Sequence, residues 1–114
     1  MRRLSDVRLK DNDRQAIERA SDILRAQFPV ERVVLFGSKA RGDDDPESDI
    51  DLLVLTRRSV GQEEKGQMTS AVFDLQLSLN VCISLLVVPL EEWERGVFQV
   101  MPIRFEIDRE GVAA

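Results

Sequence analysis

One segment constrains the fold of this chain more than any other: Asp49-Ile50-Asp51-Leu52-Leu53-Val54-Leu55, an aliphatic run entered through two aspartates. A strand that is apolar on both alternating faces is buried on both, so it must lie inside a covered sheet. Residues i and i+2 of a strand project to one face, about 6.5–7 Å apart along the chain. Asp49 and Asp51 are therefore expected side by side, with Ile50 turned into the core. Two like charges held there raise one carboxyl pKa unless a cation sits between them. Such a pair can ligate one divalent metal or bridge two about 3.5–4 Å apart, the arrangement that serves in-line phosphoryl or nucleotidyl transfer. The plain alternative is a strand that starts in solvent with both carboxylates hydrated.

Upstream of the pair lies a second apolar run, Val33-Val34-Leu35-Phe36, stopped by Gly37-Ser38. Glycine lets the backbone turn sharply and lets a phosphate approach without a Cβ in the way. Exposed N–H groups at the start of a short helical turn, Ser38 to Arg41 with Ser38 as its cap, together with the Ser38 hydroxyl make an anion site. Lys39 and Arg41 fall in the same turn and could pair with phosphate oxygens. For Lys39 the competing reading is simple exposure, and for Arg41 an ion pair that fixes the loop. Between turn and pair, Asp43, Asp44, Asp45 and Glu47 form a polar, solvated loop with Pro46 in it. A strand followed by Gly-Ser is a weak signal alone; the acidic pair on the neighbouring strand gives it weight.

The remaining pattern describes a small α/β domain, helices packed on a central mixed sheet, over residues 1–114. Residues 11–28 form an amphipathic helix, with Ile17, Ala20, Leu24 and Phe28 at helical spacing and Pro29 beyond. Gly61 to Gly66 reads as a break. Met68, Ala71, Val72, Leu75 and Leu79 then form a second core-facing helical stripe. Val81 to Val88 is a third strand, ended by Pro89, and residues 90–109 are helical in pieces, interrupted at Pro102. Trp93 is expected in packing, and Cys82 as an ordinary small buried residue. No apolar run reaches the roughly 18–20 residues of a membrane span, and no h-region follows the first residues. The sequence has no histidine, so a metal must be held by carboxylates, which selects Mg²⁺ or Mn²⁺. A net charge of −5 opposes broad nucleic-acid binding but not a nucleotide.

Taken together, Gly37-Ser38-Lys39-Ala40-Arg41-Gly42 and Ser48-Asp49-Ile50-Asp51-Leu52-Leu53-Val54 resemble the GSxARG…SDIDLLV signature of the DNA polymerase beta-type nucleotidyltransferases. The short chain is similar to their minimal nucleotidyltransferase (MNT) branch. The resemblance implies that Gly37 and Ser38, with Lys39 and Arg41, bind the phosphates of ATP or another nucleoside triphosphate. Asp49 and Asp51 would hold the metal and carry catalysis, and Arg41 would order the loop or touch phosphate. The implied reaction moves a nucleoside monophosphate, AMP in the first instance, to an acceptor hydroxyl and releases pyrophosphate. Proteins of this kind are often encoded beside a helical HEPN-domain partner and can act as antitoxins by adenylylating it. A HEPN-type partner or a homo-oligomer, in a prokaryotic cytoplasm, is implied in the same way.

The chain departs from the family pattern at one place. Active members usually carry a third acidic residue in a Val-Asp-Ile/Val-Ser context, and here the match is Val81-Cys82-Ile83-Ser84. A thiol suits Mg²⁺ poorly. Asp74 and Glu91 are the nearest acidic substitutes, and Asp74 lies off the helical stripe, toward solvent. Two function classes follow: a metal-dependent nucleotidyltransferase, or a catalytically weakened module of the same fold. The module would bind nucleotide or neutralise its partner by binding alone.

Overall fold

The computed structural model describes residues 1–43, 45 and 47–114. Helix α1 (Asp11–Gln27) forms where the periodicity placed it. Ala16, Ile17, Ala20 and Leu24 are fully buried along one side, and Asp11 and Asp13 lie in the first turn, where the helix dipole favours acids. Strand β2 (Val30–Phe36) leads through Gly37 into the one-turn helix α2 (Ser38–Arg41). Strand β3 (Ile50–Thr56) is followed by helix α3 (Gln62–Leu79), strand β4 (Ile83–Pro89), helix α4 (Leu90–Arg95) and helix α5 (Pro102–Glu110).

Two short end strands, β1 (Arg2–Arg3) and β5 (Val112–Ala113), complete a five-stranded mixed sheet in the order β1-β5-β2-β3-β4. β2 runs antiparallel to β3 with Phe36 opposite Asp51, and β3 runs parallel to β4 with Asp51 opposite Ser84. Residues of β3 alternate between two cores. Ile50, Leu52 and Val54 join the cluster built with α1 and α3, while Leu53 and Leu55 join Trp93 of α4 and Ile107 of α5. Trp93 is buried, its ring 5.5 Å from that of Phe98 and under the Arg104 guanidinium at 5.1 Å, so it serves packing.

Several boundaries differ from the sequence expectation, each for a physical reason. Residues 61–66 are not a break: α3 starts at Gln62, Gly61 is its N-cap and Gly66 lies inside the helix. Pro102 starts α5 instead of interrupting a helix, because a first-turn residue needs no N–H donor. The cap of α2 is Gly37, and Ser38 is its first residue. β3 begins at Ile50, one residue later than expected. The end strands are too short to leave a periodicity signal.

Gly66 tests the helical assignment. Outside the neighbouring helix backbone, no atom lies within 4 Å of the place a Cβ would occupy. Gly66→Ala is expected to raise stability by about 0.5–1 kcal/mol, through backbone entropy alone. Urea unfolding checks it, and a loss of stability would mean that α3 does not run through this position.

Candidate active site at the glycine turn

The register of β3 decides which face the aspartates use. Asp51 falls on the side of Leu53 and Leu55, opposite the α1/α3 layer, while Ile50 is fully buried on the other side. Asp51 is half-buried, flanked across the sheet by Phe36 and Ser84. Asp49 lies just before the strand and is exposed. The Ile50 N–H donates to the Cys82 carbonyl at 2.8 Å, which sets Cys82 beside the mouth of β3.

Gly37 closes the site from the β2 side. Its backbone, φ +80° and ψ −160°, lies in a region that residues with a side chain essentially never occupy. A Cβ on Gly37 would stand 2.4 Å from Asp51 Oδ2. The turn and the acid are therefore in direct contact, and the antiparallel pairing of Phe36 with Asp51 is what brings them together. Ser38 follows, half-buried, and among the described residues neither its N–H nor its hydroxyl is committed to a hydrogen bond.

The two cations of the turn go separate ways. Arg41 donates from Nε to Asp43 at 3.1 Å and from one terminal nitrogen to both Glu110 oxygens at 3.3 Å. These bonds, that to Asp43 foremost, raise the guanidinium pKa. Lys39 contradicts its expected exposure. It is 2% exposed, and Nζ pairs with Asp13 of α1 at 3.0 Å. Its stem runs inward from α2, so the ammonium ties α2 to α1 and is not presented to a phosphate at the turn. Breaking such a buried pair from one side costs about 3–5 kcal/mol in general.

Glu110 is the neighbour that sequence reasoning missed. Almost buried at the end of α5, it accepts the Gly37 N–H at 3.3 Å and pairs with Arg41. Arg2 ties the arrangement down by donating to the carbonyls of Ala40 and Glu110 at 2.9 and 2.6 Å. The available signal was an acid in the last turn of a helix, where the dipole disfavours it unless a cation compensates.

The acidic loop is exposed at Asp43, Asp45 and Glu47, while Asp44 and Pro46 lie outside the described residues. Cys82 also departs from expectation: it is exposed, because β4 pairs with β3 only from Ile83 onward. Asp74 is exposed on α3, and Glu91 borders a cavity with Arg57 and Arg95 beyond the far ends of β3 and β4. Neither supplies a third acid.

Two carboxylates are the donor type that a hard cation takes. Burial raises the Asp51 pKa above its usual value, and the charge of Asp49 raises it further, against a smaller lowering by Arg41. Among the described residues no three His, Cys, Asp or Glu side chains converge, so the protein offers two carboxylates. Mg²⁺ is commonly held by one or two carboxylates, with substrate phosphates and water completing its shell.

The profile of the nucleotidyltransferase domain family matches residues 17–109. The chain belongs to that family. A Methanocaldococcus jannaschii protein named "Putative protein adenylyltransferase" is 38% identical over 58 residues, 51% of this chain and 59% of that protein. The aligned part of this nucleotidyltransferase domain thus spans about three-fifths of that relative. A solved structure described as a "putative minimal nucleotidyltransferase" superposes with TM-score 0.60 at 27% identity, over 87% of this chain and 89% of that one. A toxin–antitoxin crystal structure with AMP-PNP gives TM-score 0.58 at 17% identity, over 91% and 72%. A complex of a tri-AMPylated Shewanella oneidensis HEPN toxin with its MNT antitoxin gives 0.55 at 15%, over 89% and 70%. These last two likenesses are of fold.

Two outcomes follow for the candidate site. Gly37→Ala forces the new methyl onto Asp51, and is expected to cost about 1–3 kcal/mol of stability and to weaken Mn²⁺ binding. Unchanged unfolding and Mn²⁺ titration would contradict the contact. Because the folded-state pKa of Asp51 is raised, its contribution to stability is fully present below the unfolded pKa. That contribution is lost as pH rises through the folded value. Asp51→Asn is therefore expected to raise the metal-free melting temperature at pH 7, with the gain vanishing near pH 4. A lower melting temperature at pH 7 would contradict this.

Proposed function

We propose that this nucleotidyltransferase domain moves adenylate from ATP to a hydroxyl on a protein, a HEPN-type partner being the first candidate. Asp49 and Asp51 hold Mg²⁺ or Mn²⁺, and the Gly37-Ser38 turn receives the triphosphate. The observation that carries this reading is the Gly37–Asp51 contact, which sets the glycine turn against one of the two acids. The family and the relative named an adenylyltransferase support the class of reaction; AMP-PNP and AMPylation in structures of like fold support adenylate and a protein acceptor.

In the transfer, the acceptor oxygen forms a bond to the α-phosphorus and the bond from that phosphorus to the bridging oxygen breaks. Pyrophosphate departs, and the hydroxyl proton passes to water, since among the described residues no third carboxylate stands beside the pair. The bound cation supplies charge neutralisation at the phosphate oxygens. Gly37 lets the phosphate chain approach the backbone, and the free Ser38 N–H and hydroxyl orient it. Arg41, fastened to Glu110 and Asp43, holds the turn in shape. Lys39 takes a structural role with Asp13. A cytoplasmic site of action is part of this reading.

One observation favours a second reading, a module that binds nucleotide or neutralises its partner without turnover. Cys82, just before β4, and Ser84 of β4 stand beside the start of β3, where a third acid would complete the metal site.

The test incubates the chain and a HEPN-type partner with labelled ATP and Mg²⁺ or Mn²⁺. Label is expected on protein, and Asp49→Asn or Asp51→Asn is expected to lower it about 100-fold or more, the scale of losing metal-borne charge stabilisation. Cys82→Asp is expected to increase transfer. Partner inhibition without any label, undiminished in Asp51→Asn, would replace the enzyme reading with the binding module.

A further inference from the structure

Strand β4 forms one margin of the sheet and pairs with β3 alone. One hydrogen bond orients its backbone: Ile50, which stands opposite Ile83, donates its N–H to the Cys82 carbonyl. In a parallel ladder this turns the N–H and C=O groups of Ser84, Leu86 and Val88 toward β3, and those of Ile83, Leu85 and Val87 outward. The Ile83 N–H agrees, because the Gln76 side chain of α3 accepts it from the open side at 2.7 Å. At the other end, Pro89 has no N–H to give. Both ends of the margin are thus closed to further donation, and the open donors are those of Leu85 and Val87.

That open stretch complements itself. About a two-fold axis through Leu86, Leu85 of one copy faces Val87 of another, and each such pair exchanges both of its N–H···O bonds. Nothing in the side chains opposes this, since no charged residue occurs from Asn80 through Leu90. The opposite margin is guarded differently: β1 is two residues long, and both are arginine. Short, cationic margins are how sheets ordinarily avoid pairing, and β4 lacks both devices. Beside it, α3 carries Phe73 and Leu77, 49% and 70% exposed. The Ile83 N–H bond to Gln76 sets α3 beside the start of the strand, and Phe73 lies one helical turn from Gln76.

We propose that β4 is a homodimerisation strand. A second copy of this chain adds its own β4 antiparallel at Leu85 and Val87, with the apolar flank of α3 covering the junction. Opposed residues of antiparallel strands project to the same face, so Leu86 of both copies lies on the side of Asp51. The two candidate sites then open on one side of a continuous sheet.

Sedimentation equilibrium of the full chain from micromolar to millimolar concentration, with amide hydrogen exchange on the same samples, tests this independently of any nucleotide chemistry. A dimer is expected, with exchange at Leu85 and Val87 slowing about tenfold or more as it fills and Ile83 unchanged. Val87→Pro removes an outward N–H that β3 does not use, and Phe73→Glu charges the flank. Each is expected to raise the dissociation constant about tenfold or more with the far-ultraviolet circular dichroism retained. A monomer at every concentration, or a dimer whose Leu85 and Val87 amides exchange as in the monomer, overturns the proposal. If Val87→Pro does not fold, wild-type exchange together with Phe73→Glu decides.

Discussion

The antiparallel pairing of Phe36 with Asp51 is the constraint on which the rest of the site depends. It sets the last residue of β2 against an acidic residue of β3, so the next residue must turn within contact of a carboxylate. Only glycine fits there, on two independent grounds: the backbone has positive φ, and the Cβ position is already taken. The space a side chain would take at Gly37 is filled by the Asp51 carboxylate, so turn and acid are packed against each other. The closeness of the glycine turn to Asp51 is thereby a consequence of one strand register.

The same arrangement sets the electrostatics. Asp51 is drawn into the sheet by the aliphatic residues that follow it, which desolvates the carboxylate while Asp49 repels it. The fold tolerates this local cost because both cores of β3 are apolar and well buried. Around the turn the charges are matched within the protein: Glu110 takes the Gly37 N–H and Arg41, Asp13 takes Lys39, and Arg2 laces α2 to the end of α5. These ionic groups are thus engaged with one another around the turn.

Much of this was legible in the chain. The helix over residues 11–27, the three long strands and the stripe of Met68, Val72 and Leu75 follow from periodicity, because burial there is decided by local pattern. The Gly37-Ser38 turn and the acidic pair were legible as residue types at a fixed spacing. What escaped depends on contacts distant in sequence. Lys39 could be read as an exposed cation, yet it forms a buried pair with Asp13 of α1. Glu110 belongs to the site only because β5 returns beside β2. Cys82 read as buried from its strand-like neighbours, and it is exposed because the ladder begins one residue later. Glycine and proline misled in α3 and α5 by position: Gly66 is carried inside a long helix, and Pro102 sits where a helix accepts it.

Paramagnetic broadening of backbone amide signals by Mn²⁺, with and without ATP, tests the central claim most directly. If the turn and the aspartates form one site, Gly37, Ser38, Asp51 and Ser84 broaden together at substoichiometric Mn²⁺. ATP then strengthens the effect at Gly37 and Ser38, while Arg58 and Trp93 at the far end stay sharp. Broadening confined to Asp43, Asp45 and Glu47, with Gly37 and Ser84 unaffected, would show the cation held by the solvated loop and would separate the acids from the glycine turn.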